Sequence, residues 1–114
     1  ELRGLVDARR LSLLRDGAWF INTARGALVD EAALTHELAG GRIGACLDVT
    51  DPEPPASSNP LLTMPNVVLT PHIAGAIGQD CRRLGALCME ELERYLGGRA
   101  PLYAIRESDL AVKA

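Results

Sequence analysis

Residues 18–30 read Ala-Trp-Phe-Ile-Asn-Thr-Ala-Arg-Gly-Ala-Leu-Val-Asp and carry three structural signals in succession. Ala18 to Asn22 is a largely apolar run, which predicts a buried strand. The stretch from Thr23 to Gly26 is its exit loop, and Asp30 followed by Glu31 starts a helix. A strand, a short loop and a helix form the repeating unit of parallel α/β sheets.

Further elements are predicted on both sides of this unit. Upstream, Asp7 is a reasonable N-cap for a short helix through Leu14. Downstream, Ile43 to Val49 and Val67 to Thr70 predict two more strands, and residues 77–96 predict a long helix with one apolar face, which includes Cys81, Cys88 and Tyr95. The alternation predicts an α/β fold with three parallel strands and flanking helices.

The remaining segments lack regular patterning. Asp51 to Pro60 holds four prolines and two serines, so we expect an ordered or semi-ordered surface loop. Gly97-Gly98 ends the long helix, and residues 99–114 resemble an extended tail that packs on another element or stays mobile. We therefore expect one domain over residues 1–98, followed by a tail over residues 99–114.

Composition limits the class of protein. The chain has 114 residues, 47% of them apolar, and a formal net charge of -3, which argues against a nucleic-acid-binding surface. No apolar run approaches the roughly 20 residues that cross a bilayer, and no signal peptide opens the chain. Three cysteines without a CxxC pair, apart from both histidines, favour a reducing, cytoplasmic compartment and no zinc site. The first residue is Glu, so we expect a piece of a longer protein.

Polar residues follow each predicted strand, namely Arg25, then Asp48 and Glu53, then His72. Because parallel strands end at the same edge of a sheet, we expect these side chains to meet in one crevice. Each residue taken alone has a simpler explanation, as a solvated loop cation, a turn cap, loop polarity or a hydrogen-bonded loop histidine. No GxGxxG follows a strand, so the usual phosphate site for a dinucleotide is absent from this sequence.

Four motifs, in order, carry a resemblance to a known family. They are Phe20-Ile-Asn-Thr-Ala-Arg-Gly-Ala-Leu-Val-Asp30, Gly41-Arg-Ile-Gly-Ala-Cys-Leu-Asp-Val49, Pro52-Glu-Pro54 and Asn66-Val-Val-Leu-Thr-Pro-His-Ile-Ala-Gly75. The chain resembles the D-isomer-specific 2-hydroxyacid dehydrogenases over roughly residues 1–100. The resemblance implies a partial Rossmann-like domain, the second half of the family's NAD-binding domain without its N-terminal half.

The resemblance also implies a reaction, a reversible hydride transfer between NAD(P)H and the carbonyl carbon of a 2-oxo acid. By match to the motifs, Arg25 would bind the substrate carboxylate and polarise the carbonyl. His72 would donate the proton and Glu53 would pair with His72. The chemistry agrees, because a guanidinium grips a carboxylate with two parallel hydrogen bonds and a neighbouring carboxylate favours a protonated imidazole.

The cofactor residues follow from the same match. Asp48 would contact the nicotinamide end of NAD or NADP. The backbone of Thr23, Ala24 and Arg25 would line the same pocket, together with the turn from His72 through Ala74 to Gly75. Family members commonly pair through their nucleotide-binding domains, so a homodimer is expected.

Two features of the sequence refine this expectation. Glu53 stands where formate dehydrogenases have an amide, which favours reduction of a keto acid with proton transfer. Thr50 replaces an aromatic residue found in many relatives. The alternative is a non-catalytic, dinucleotide-sensing corepressor or binding module of the same superfamily. The 114 residues alone are expected to bind NAD weakly or not at all and to be inactive.

Overall fold

The computed structural model describes residues 2–110, which contain four α-helices and three β-strands. In chain order they are α1 (Ala8–Ser12), β1 (Trp19–Asn22), α2 (Glu31–Ala39), β2 (Gly44–Leu47), β3 (Val67–Leu69), α3 (Gln79–Leu96) and α4 (Glu107–Leu110). The predicted order of helices and strands is confirmed. Helix α4 is an addition, because it lies where the sequence predicted only a tail.

The three strands form one parallel sheet in the order β1-β2-β3. Asn22 pairs with Leu47, and Leu47 pairs with Leu69, so the three strands end level with one another. Each strand is shorter than its apolar run suggested. The predicted parallel α/β arrangement is confirmed, and it places the loops after β1, β2 and β3 along one edge.

The hydrophobic core lies between one face of the sheet and the helices α1 and α2. Its fully or almost fully buried members are Leu11, Leu34, Leu38, Ile43, Ala45, Leu47 and Leu61. Burying a leucine or isoleucine side chain contributes about 1.5–3 kcal/mol, so this cluster is the main stabilising element of the sheet.

The opposite face of the sheet corrects a prediction. The run at β1 was expected to be buried, but Trp19 is 57% exposed and Ile21 is 66% exposed. Val68 on β3 is 50% exposed. Side chains alternate along a strand, so these residues share the face that the core does not use. Trp19 lies over Gly44 of the neighbouring strand, where an added Cβ would come within 3.0 Å of the indole ring.

The predicted N-cap at Asp7 is confirmed, and Asp30, predicted at the start of the second helix, is the N-cap of that helix. The Asp7 carboxylate accepts from the backbone N–H of Arg10 at 2.8 Å, and Asp30 accepts from that of Ala33 at 3.0 Å. These bonds satisfy N–H groups that the first turn of a helix leaves without partners. Asp30 therefore sets where the chain turns from the β1 exit loop into α2.

The long helix α3 is largely exposed along its length. Its apolar residues have the predicted spacing, but none of its side chains is buried. Leu84, Leu92 and Tyr95 are 50%, 47% and 69% exposed, and Cys81 and Cys88 are exposed as well. Periodicity thus predicted the helix correctly, and its apolar face is largely exposed in the described part of this chain.

The chain divides into two compact units, residues 1–74 and residues 75–114. The first contains the sheet with α1 and α2, and the second contains α3 and α4. The domain boundary expected between residues 98 and 99 stays a prediction.

Within the second unit, the segment after α3 folds back along that helix. Glu91 accepts from the backbone N–H groups of Leu102 at 2.9 Å and Tyr103 at 3.0 Å. The N–H group of Tyr103, and then that of Leu102, hold the pKa of Glu91 below its ordinary value. Desolvation opposes them to a smaller extent, and the nearby Arg94 guanidinium lowers the pKa slightly further. The start of the expected tail is therefore fixed to its own helix. Residues 111–114 lie outside the described part.

Two kinds of feature are absent from residues 2–110. No helix in that range has the length and apolarity needed to cross a membrane. The same residues contain no cluster of three or more His, Cys, Asp or Glu side chains that could hold a metal ion.

Candidate active site

His72 and Glu53 are hydrogen-bonded to each other at the carboxyl edge of the sheet. Nδ1 of His72 lies 2.5 Å from Oε1 of Glu53, and the two side chains are 43% and 40% exposed. His72 follows β3, whereas Glu53 lies in the loop after β2. A carboxylate only accepts hydrogen bonds, so Nδ1 carries the proton and Nε2 is left for a ligand.

An open pocket of about 790 Å³ borders this pair. Its lining combines polar groups with apolar ones: Asp48, Thr50, Glu53, Thr70 and His72 on the one hand, Val49, Pro54, Pro55, Leu62, Leu69 and Pro71 on the other. A mostly apolar concavity with a few convergent polar groups is the usual form of a small-molecule site. The pocket therefore has room for a small organic ligand next to the imidazole.

Asp48 is 4% exposed and directly follows β2, at the edge of the pocket. Its Oδ1 accepts from the hydroxyl of Thr70 at 2.5 Å and from the N–H of Ile73 at 2.9 Å, and its Oδ2 accepts from the N–H of Ala74 at 2.8 Å. The Thr70 hydroxyl, then these two N–H groups and the charge of His72, hold the pKa of Asp48 below its ordinary value, although burial opposes them. Asp48 is thus an ionised anchor for the turn that carries His72.

Arg25 lies in the loop after β1, at the same edge as the ends of β2 and β3. It is exposed, and its Nη1 donates to the carbonyl of Ala24 at 2.6 Å. Its guanidinium makes no ion pair with a carboxylate in the described range. The buried Asn22 shapes this loop, because its Nδ2 donates to the Arg25 carbonyl at 3.0 Å and its Oδ1 accepts from the Ala24 N–H at 3.0 Å.

The loops after β1 and β2 touch at Gly26. A Cβ added to Gly26 would lie 2.1 Å from the carbonyl oxygen of Thr50 and 2.8 Å from the backbone nitrogen of Asp51. Only a glycine permits so close an approach of two backbones. The loop that carries Arg25 is therefore packed directly on the loop that leads to Glu53.

The segment that carries Glu53 is held at both ends, in agreement with the ordered loop predicted there. Glu31 at the start of α2 accepts from the backbone N–H of Asp51 at 3.2 Å and from the side-chain amide of Asn59 at 2.7 Å. Arg3 forms an ion pair with Asp51. The Thr50 hydroxyl donates to the carbonyl of Pro52 at 2.9 Å.

The structure brings three of the predicted site residues together: Asp48, Glu53 and His72 line one pocket. Thr23, Ala24 and Arg25 lie in the exposed loop after β1 and do not line it. Ala74 is tied to Asp48 through its N–H. Gly75 begins the second unit and has a φ of 103°, which favours glycine.

Comparison with known proteins gives this arrangement a family. Residues 1–74 match the family model described as the NAD binding domain of D-isomer specific 2-hydroxyacid dehydrogenases. The chain belongs to this family. The chain is 40% identical over 99 residues to the D-3-phosphoglycerate dehydrogenase of Archaeoglobus fulgidus. The match covers 86% of this chain and 19% of that protein.

Two further comparisons agree. The dehydrogenase domain is 39% identical over 114 residues to the glyoxylate reductase of Thermofilum pendens, covering 99% of this chain and 34% of that protein. It also resembles the crystal structure of a D-isomer specific 2-hydroxyacid dehydrogenase from Xanthobacter autotrophicus Py2 in complex with NADPH and MES. The TM-score is 0.77, with 42% identity over 92% of this chain and 43% of that one. The domain thus spans less than half the length of each of these proteins.

Three residues that hold the candidate site together were not singled out from the sequence. They are Asn22, Glu31 and Thr70, which fix the Arg25 loop, the Glu53 loop and Asp48, respectively. Asn22 and Thr70 are polar residues directly at strand ends, which is the signal that could have found them. Glu31 was noted only as the start of a helix, and its two loop contacts span sequence separations of 20 and 28 residues.

Proposed function

We propose that this chain is part of an NAD(P)-dependent oxidoreductase that reduces a 2-oxo acid to a D-2-hydroxy acid. The enzyme would be of the glyoxylate/hydroxypyruvate reductase or phosphoglycerate dehydrogenase type. The observation that carries the proposal is the 2.5 Å contact between His72 and Glu53 beside an open pocket, within a domain of the 2-hydroxyacid dehydrogenase family.

His72 is the proposed proton donor. Its Nδ1–H donates to Glu53, which fixes the ring and leaves Nε2 to give a proton to the carbonyl oxygen of the substrate. A nicotinamide, when bound, supplies the hydride that reaches the carbonyl carbon. The Glu53 carboxylate stabilises the imidazolium that must re-form at every turnover, which is why a carboxylate suits this position better than an amide.

Arg25 is the proposed substrate clamp. Its exposed guanidinium contacts only a neighbouring carbonyl among the contacts found in residues 2–110, so it is available to a ligand. A planar, permanently charged fork binds a carboxylate with two parallel hydrogen bonds and stabilises negative charge that develops on the adjacent carbonyl oxygen.

The remaining predicted residues are proposed to hold the nicotinamide end of NAD or NADP. Asp48 fits this role, because its carboxylate lines the pocket and its three protein hydrogen bonds leave part of its acceptor capacity for an amide N–H of a ligand. The backbone of Thr23, Ala24 and Arg25 and the turn through Ala74 and Gly75 complete the set.

We also propose that the full-length protein is a homodimer and works in a reducing, cytoplasmic compartment. Cys46, Cys81 and Cys88 are all free thiols. Unpaired cysteines, two of them exposed, are more typical of a reducing compartment than of an oxidising one.

The test replaces His72 by Ala in the full-length protein and follows oxidation of NADH and NADPH with glyoxylate, hydroxypyruvate and bulkier 2-oxo acids. We expect kcat to fall by about 10²–10⁴-fold, because general acid catalysis contributes that much. His36→Ala is the matched control, since His36 is the other histidine and is exposed on α2. Undiminished turnover in His72→Ala would remove this residue as the proton donor.

A further inference from the structure

The turn that carries His72 has an uncommon backbone. His72 has a φ of 52°, and within residues 2–110 it is the one residue other than glycine with a positive φ. A residue with a Cβ rarely adopts this conformation unless surrounding contacts impose it. The contacts that impose it here are therefore part of how the imidazole is aimed.

These contacts converge on Asp48 from both sides of His72. On the C-terminal side, the N–H groups of Ile73 and Ala74 donate to the two carboxylate oxygens at 2.9 and 2.8 Å. On the N-terminal side, the hydroxyl of Thr70 donates to Oδ1 at 2.5 Å. The Asp48 backbone is itself fixed, because its N–H donates to the carbonyl of Asn22 at 2.9 Å in the sheet ladder.

On the N-terminal side of His72, no neighbouring backbone N–H can replace the hydrogen bond from the Thr70 hydroxyl to Asp48. Pro71 has no backbone N–H, and the N–H of His72 is used by the carbonyl of Thr70 at 3.0 Å. The Thr70 hydroxyl is then the group by which the residues just before His72 reach the carboxylate. The hydroxyl is also the largest single cause of the lowered pKa of Asp48.

We propose that Thr70 is a positioning residue for His72: its hydroxyl orients the Asp48 carboxylate, which holds the left-handed turn and so directs the imidazole at Glu53. The direction of the Cα–Cβ bond follows from the backbone, and the 2.5 Å contact of Nδ1 with Glu53 depends on that direction. Glu53 lies on a separate loop, so a turn that relaxes would lose this contact.

The decisive measurement is amide hydrogen exchange in the full-length protein, followed by NMR. Thr70→Val keeps the shape of the side chain and removes the hydroxyl, and Thr70→Ser keeps the hydroxyl. In Thr70→Val we expect exchange at Ile73 and Ala74 to become about tenfold faster, while exchange at Ala45 and Leu47 in β2 stays unchanged. We also expect loss of the downfield proton resonance of the imidazole Nδ1–H that is bonded to a carboxylate.

Thr70→Ser should restore both signals, and Thr63→Val is the matched control. The hydroxyl of Thr63 donates to the carbonyl of Pro60 at 3.3 Å, outside the site. If Thr70→Val exchanges like the wild type at Ile73 and Ala74, or loses protection equally in β2, the positioning role is overturned. If Thr70→Val does not fold, the comparison of Thr70→Cys with Thr70→Ser decides, since the two side chains are of similar size and the thiol is the weaker donor.

A kinetic arm rests on the proposed function. In the full-length protein, Thr70→Val should lower kcat for a 2-oxo acid about tenfold with little change in KM, because the proton donor is misplaced and the substrate clamp at Arg25 is not touched. Equal kcat values in Thr70→Val and the wild type would contradict the positioning role. If the wild type reduces no 2-oxo acid, the proposed function fails, while the exchange experiment still decides the role of Thr70.

Discussion

At the scale of single residues, the ionised state of Asp48 links the stability of the fold to the geometry of the site. A carboxylate accepts all three hydrogen bonds from Thr70, Ile73 and Ala74, whereas a protonated carboxyl carries a hydrogen of its own. One of these three donor groups then faces the hydrogen of the carboxyl group in place of an acceptor oxygen. Protonation of Asp48 should therefore loosen the turn before it affects the core.

The pH dependence of stability tests this link. The pKa of Asp48 is lower in the folded chain than in the unfolded one. Its contribution is therefore fully present above the unfolded value of about 3.9 and is lost as the pH falls through the folded value. We expect Asp48→Asn to be less stable than the wild type at pH 7, and the difference in urea midpoint to shrink as the pH falls below about 4.

The control for this experiment is Asp16→Asn, whose side chain is 88% exposed. Its stability should run parallel to that of the wild type across the same pH range. A constant difference between Asp48→Asn and the wild type from neutral pH to pH 2 would show that ionisation of Asp48 contributes nothing.

Of the contacts in the candidate site, the sequence predicted one. His72 and Glu53 were paired through the motif match, and they are in contact. The principal partners of Asp48 were not predicted, because they depend on a left-handed backbone at His72, which no pattern of residue types indicates.

At the scale of elements, the close approach at Gly26 fixes how the loops after β1 and β2 are stacked. The backbone of Thr50 occupies the space that a side chain at position 26 would need. The site thus inherits the spacing between Arg25 and the Glu53 loop from a contact between two backbones, which side-chain adjustments cannot relax.

Gly26→Ala is expected to destabilise the chain by about 1–3 kcal/mol, as overpacking does, and to shift the loop that carries Glu53. Urea unfolding followed by circular dichroism measures the first effect. Gly40→Ala is the control, because a Cβ there meets its nearest atom at 3.5 Å, an ordinary contact. Equal stability of the two variants would mean that the loops can move apart at little cost.

Elements were predicted well where local signals decide them. The helix starts at Asp7 and Asp30 and the parallel pairing of the strands followed from local chemistry and connectivity. Burial was predicted less well. The apolar run at β1 and the apolar stripe of α3 can be recognised in the sequence, but the surface that covers each of them cannot.

At the scale of the whole molecule, the proposed dinucleotide site is incomplete in this chain. The proposed residues serve the nicotinamide end, but the glycine-rich turn that binds the pyrophosphate does not occur in the sequence. The domain also spans only 34% of the length of the Thermofilum pendens glyoxylate reductase. Binding energy and catalysis should both be low in the chain alone.

Titration calorimetry of the 114-residue chain with NAD and NADP should therefore detect no binding at micromolar concentrations, and the chain should reduce no 2-oxo acid. The full-length protein is the positive control. A micromolar dissociation constant for the chain alone would show that its own loops bind most of the cofactor.

The sheet face with Trp19, Ile21 and Val68 has a practical consequence. Apolar surface that stays in contact with water costs about 25 cal/mol for every square ångström, so this face of the sheet favours association with another apolar surface. At high concentration the 114-residue chain alone is expected to aggregate through this face. Expression of the full-length protein should reduce that aggregation.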